Sequence, residues 1–141
     1  LSGIFSIYEG TTQLQVVAAI RYISNGTYLT IIKEMLEKEV AEELQPLKAR
    51  VEEMVKLYEQ ALEYVKEAQD QEMHDFLARR LYNITAEIIM SLLILEDATR
   101  SAELFAKSAN VYVRMAQSAV IGDHAYIMNF VKEDLPSFRA E

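Results

Sequence analysis

The sequence predicts an all-α protein, an antiparallel helical bundle of about five to six helices joined by short turns. Three observations carry this. Glycine and proline, at 4 and 2 residues of 141, are too few for the tight turns of a β protein. Ala, Leu, Glu, Lys and Met, the good helix formers, are plentiful. Apolar residues also recur at steps of three and four over long stretches, which is the period of an amphipathic helix.

Residues 1–10 lack that period and end in Gly10, so they read as a loop or the end of an earlier element. Thr12 and Gln15 have the spacing of a capping box, which starts a helix near Thr11 or Thr12. Leu14, Val17, Ala18 and Tyr22 form its apolar stripe, and Ser24-Asn25-Gly26 stops it. Thr27 or Thr30 caps a second helix with the stripe Leu29, Ile32, Leu36, Val40 and Leu44. Pro46 belongs in the first turn of a third helix, where its missing N–H costs nothing.

In that third helix Leu47, Val51, Met54, Tyr58, Ala61, Val65 and Ala68 alternate steps of four and three. This heptad seam suits a partner helix in the same chain or in another. A fourth helix follows Asp70 with Met73, Leu77, Leu81, Ile84, Ile88, Leu92 and Leu95 inward. It is apolar nearly all round after Thr85, which predicts the central, most buried helix. A break is required near Asp97–Ser101, although no Gly or Pro marks it. A fifth helix carries Phe105, Ala109, Tyr112, Ala116 and Ala119; Gly122-Asp123 ends it and caps a short sixth, which Pro136 terminates.

Composition excludes several function classes. The net charge of -8 opposes binding to nucleic acid or to anionic membrane surfaces, which require clustered Lys and Arg. Most of that charge sits at residues 33–72, where 12 acids face 6 bases, the pattern of a solvated helix face. No run approaches the roughly 18 apolar residues of a membrane span. The absence of cysteine removes disulfides and thiolate metal sites and fits a reducing compartment. A cytoplasmic location is expected.

Bundles often hold carboxylate-bridged metals through Glu-x-x-His pairs. Here the residues three before His74 and His124 are Gln71 and Ile121, so no metal site is expected. Asp70, one turn before His74, reads as a cap. A Ser-His-acid constellation cannot be built on two scattered histidines, and the tyrosines and methionines fall mostly on apolar stripes.

The exception is Glu9, between Tyr8 and Gly10. Desolvation by its neighbours would raise its carboxyl from the ordinary value of about 4.3 toward the range useful to a general base. Gly10 leaves the backbone open to close approach, and the helix N-terminus that follows favours an anion. A plain capping turn with a favourably placed acid accounts for the same residues.

The stretch Ile7-Tyr8-Glu9-Gly10-Thr11-Thr12-Gln13-Leu14-Gln15 closely resembles the signature near the end of the acyl-CoA dehydrogenase flavoprotein core. The resemblance implies that Glu9 removes the α-proton of an acyl-CoA thioester while the β-hydrogen leaves as hydride to FAD. It assigns Gly10 to substrate contact and Thr11, Thr12 and Gln13 to FAD. It also implies an electron-transferring flavoprotein as acceptor and a homo-oligomer, and it makes residues 1–26 the end of the catalytic core. Residues 27–141 would then be a C-terminal helical extension, like that of the larger family members. Most of the enzyme would precede Leu1, and the chain alone is expected to be inactive. The alternative from another class is a non-enzymatic helical module for dimerisation or partner binding.

Overall fold

The computed structural model describes residues 27–138, and these form four α-helices with two 3-10 turns: α1 (Thr27–Leu36), α2 (Gln45–Ala68), α3 (Gln71–Arg100) and α4 (Ala102–Asn129). The 3-10 turns are Glu42–Leu44 and Lys132–Phe138. Helices α2, α3 and α4 run up, down and up around one core, and α1 packs antiparallel to α2 across α2 and α3. The all-α bundle of the sequence reading is what the described residues form, and none of their helices is long and apolar enough to cross a membrane. The capping box at Thr12 and the stop at Ser24-Asn25-Gly26 lie outside the described residues.

All seven inward positions expected of α3 are buried, from Met73 to Leu95. It touches both other long helices, and its small Ala78 and Ala98 let them come close. Its outer face is nonetheless open at Met90 and Leu93, so an all-round apolar helix is not buried all round. The α2 seam is buried from Leu47 to Val65, with Val55 and Leu62 added because α2 faces more than one neighbour; Ala68, one turn further on, is exposed.

Each helix end has a local cause. Pro46 stands in the first turn of α2. At the other end Gln69 takes a left-handed backbone (φ 50°), strained for a residue with a side chain. Its N–H bonds the Lys66 carbonyl at 3.2 Å, which turns the chain into α3. Asp70 is the expected cap: its Oδ1 accepts the Met73 N–H at 2.9 Å. The break between α3 and α4 is one residue, Ser101 (φ −149°, ψ 80°), an extended conformation open to any residue, which is why no glycine marks it.

Three expectations are corrected. The second predicted helix does not reach Leu44; it ends at Leu36, and Thr30 lies inside it rather than at its cap. Val40 and Leu44 still pack inward, but on a link and its 3-10 turn, outside any α-helix, tied to α3. The Ala41 N–H donates to Thr99 Oγ1 (3.2 Å) and Lys38 reaches Glu96 (3.3 Å), bonds that a continuous helix would forfeit. In α4 the buried face runs through Ala109, Val113, Ala116 and Val120, leaving Ala119 exposed, because the larger valines claim the core. Finally, Gly122-Asp123 does not end that helix, and Pro136 sits inside the last 3-10 turn instead of terminating a helix.

Gly122 is thus a mid-helix glycine with nothing within 4 Å of an added Cβ. Gly122→Ala is expected to stabilise the fold by about 0.5–1 kcal/mol, through a less free unfolded chain and better helix propensity. A thermal melt checks it; an unchanged or lower midpoint would show that the site is not an open helical position.

Candidate functional site

Glu9, Gly10, Thr11, Thr12 and Gln13, the residues singled out for chemistry, all lie outside the described residues. Residue 27 opens α1, and Leu29 in its first turns shares a shallow groove with Leu62, Glu63 and Lys66 of α2. Lys33 Nζ lies 3.9 Å from Glu59 one turn later. The start of α1 therefore lies at the end where α2 turns into α3 and α4 gives way to the last 3-10 turn.

That end holds the most developed side-chain cluster among the described residues. Phe76 and Arg80 lie one turn apart on α3; Asp123, Tyr126 and Phe130 follow at the same spacing on α4 and just after it. The two faces interlock. Arg80 places its guanidinium carbon 3.6 Å from the centre of the Tyr126 ring and its Nη1 2.9 Å from Asp123 Oδ1. Phe76 stacks on Phe130 with centroids 5.1 Å apart, and Tyr126 also stacks on Phe130, at 6.1 Å. From α2, the Tyr64 hydroxyl donates to the Phe130 carbonyl. The Val131 N–H donates to Asp134 Oδ2 (3.1 Å) and so starts the 3-10 turn.

Burial raises the Asp123 carboxyl above its ordinary value and outweighs the lowering by Arg80. The arrangement is a clamp: cation, ring and carboxylate satisfy one another, which leaves no base poised beside a nucleophile. Sequence reading missed it because Gly122-Asp123 looked like a helix stop. The signal that could have found it is the matched i, i+4 spacing of Phe76–Arg80 and Tyr126–Phe130.

Elsewhere the polar side chains tie helix to helix. Arg50 donates to Gln117 (2.8 Å), and Tyr112 to Glu87 (3.0 Å). Burial, then the Glu87 bond and charge, push the Tyr112 hydroxyl up to about 12. Tyr58 is also pushed up to about 12, by burial first and Tyr28 second. Among the described residues no three of His, Cys, Asp and Glu come together as a metal-holding group.

His124 Nε2 lies 3.0 Å from Gln60 Oε1, and burial lowers its pKa below the ordinary 6.5. The unfolded chain therefore takes up that proton first. His124 contributes stability that is fully present above about pH 6.5 and is lost as pH falls through the folded value. His124→Gln should flatten the melting temperature between pH 7.5 and 5.5 relative to wild type; parallel pH curves would assign the dependence to other groups.

The fold and its contacts define an all-α helical domain whose polar and aromatic side chains tie helix to helix. The chain belongs to the family described as "Acyl-CoA dehydrogenase C terminal", whose model matches residues 24–135. It is similar to a crystal structure of an acyl-CoA dehydrogenase family protein from Porphyromonas gingivalis. The two are 37% identical with a TM-score of 0.76, over 81% of this chain and 98% of that one. No curated protein matches the chain.

Proposed function

We propose that this chain is the C-terminal part of an FAD-dependent acyl-CoA dehydrogenase that oxidises acyl-CoA thioesters to trans-2-enoyl-CoA. The observation that carries the reading is the join of two independent signals. The family match over residues 24–135 is preceded directly by the Ile7–Gln15 stretch, which has the form of the catalytic-base signature. Residues 1–26 are then the end of the catalytic core, and residues 27–141 the helical extension.

In this reading Glu9 takes the α-proton of the thioester. Its backbone N–H donates to the thioester carbonyl, where negative charge develops as the proton leaves; a donor already in place stabilises that charge without reorganisation. Gly10 leaves room for the thioester beside the backbone. Thr11, Thr12 and Gln13 hold FAD, which when bound supplies the acceptor for the β-hydride. The described bundle supplies no reacting group and acts as ballast that fixes the core's last helix. The isolated chain is inactive, and the intact enzyme passes its electrons to an electron-transferring flavoprotein in the cytoplasm.

The test is turnover. The intact enzyme is incubated with acyl-CoAs of graded chain length and an artificial electron acceptor, and products are read by mass spectrometry. A loss of two hydrogens from at least one acyl-CoA is expected. No such product from any chain length would leave the helical-module alternative.

A further inference from the structure

Helix α1 is held to the rest of the fold differently from the other three. Helices α2, α3 and α4 bury eight, eleven and five side chains, whereas α1 buries one among its described side chains, Ile32. Tyr28, Leu29, Met35 and Leu36 pack against the core but stay partly exposed. The ion pair from α1 to α2, Lys33 to Glu59 at 3.9 Å, has side chains 58% and 45% exposed, and a pair so open to water contributes little. At ten residues, α1 is also shorter than the roughly 12–15 that an isolated helix needs in water. Docking therefore sustains its helix, and undocking lets it unwind.

The link after α1 has the form of a pivot. Ala41 is pinned to α3, its N–H donating to Thr99 Oγ1 at 3.2 Å while Thr99 donates to the Leu95 carbonyl at 2.8 Å. Three residues on, Leu44 is buried. Between Leu36 and Ala41 stand Glu37, Lys38, Glu39 and Val40, outside any helix, and the first three are charged and exposed. Lys38 reaches Glu96 at 3.3 Å, again an exposed pair.

The surface beneath α1 adds a cost to the docked state. Tyr58 of α2 is fully buried, and its hydroxyl has no hydrogen-bond partner among the described residues. Tyr28 of α1 lies close enough to help burial push that hydroxyl up. A buried hydroxyl without a partner is costly, and lifting α1 gives it water. An element that buries little, beside elements that bury much, opens at a lower free energy than the whole.

We infer that α1 is a hinged arm, which undocks from α2–α4 as a unit about Glu37–Val40 while Ala41, Leu44 and the three long helices stay in place. The docked arm is the dominant state, and the open arm is reached without unfolding the bundle.

Hydrogen exchange of the full 141-residue chain, read amide by amide across low concentrations of denaturant, tests this. The amides of Ile31–Leu36 should be about tenfold or more less protected than those of Val51–Val65 and Ile84–Leu95. Their denaturant slope should be shallower, because undocking exposes little surface. Ile127 is fully buried on α4, whereas α1 lies across α2 and α3. Ile127→Val should lower protection in the long helices roughly twofold to tenfold and leave Ile31–Leu36 unchanged. Tyr58→Phe removes the unpartnered hydroxyl and should raise the protection of Ile31–Leu36 severalfold. One common protection and slope for α1 and the long helices would overturn the proposal. So would an equal loss in both from Ile127→Val, or lower protection of α1 in Tyr58→Phe.

Discussion

On the proposed function, Glu9→Gln in the intact enzyme is expected to keep its FAD and its affinity for acyl-CoA while turnover falls roughly 10²- to 10⁴-fold, the range spanned by loss of a positioned general base. The amide has nearly the shape of the carboxylate, and its backbone N–H is untouched, so binding and carbonyl polarisation survive. What it lacks is a basic oxygen for the α-proton. The loss should therefore fall on kcat, with KM little changed, as for an interaction made only in the transition state. Near-normal turnover in the variant would place the base elsewhere in the enzyme.

The second large effect concerns the fold. Ile88 is fully buried at the middle of α3, the helix that touches both other long helices. Ile88→Ala removes three carbons there, and the site can only partly collapse around the gap, so a loss of about 2–5 kcal/mol is expected. Against a total of about 5–15 kcal/mol for a domain, that lowers the melting temperature by roughly 10–20 °C. Met90→Ala, two residues away on the open side of the same helix, should cost under about 0.5 kcal/mol. Equal losses at the two positions would mean that the outer face of α3 is covered in the folded protein.

The course of α3 was legible in the sequence because large aliphatic residues hold one face from Met73 to Leu95 and the opposite face offers no competing run of the same length. The inward face of α4 was less so. Tyr112 and Val113, then Ala119 and Val120, stand side by side, and small residues on both faces leave the amphipathic signal weak; packing decided for the valines. The end of α1 at Leu36 was invisible to local pattern, since the apolar period continues through Val40 and Leu44. It is set by Glu96 and Thr99, each 58 residues from its partner in the link.

The candidate chemistry divides in the same way. Glu9 is singled out by a short, dense motif of adjacent residues, which needs no fold to be read. The Arg80–Asp123–Tyr126 clamp is written across 43 residues between the arginine and its carboxylate, and only the fold brings the two together.

The most direct test of the central claim, that this chain supplies the catalytic base of an acyl-CoA dehydrogenase, is anaerobic mixing of the intact enzyme with acyl-CoA, read at the flavin absorbance in wild type and in Glu9→Gln. The account requires bleaching in wild type and none on the same timescale in the variant. Equal bleaching in both, or none with any acyl-CoA, would contradict it.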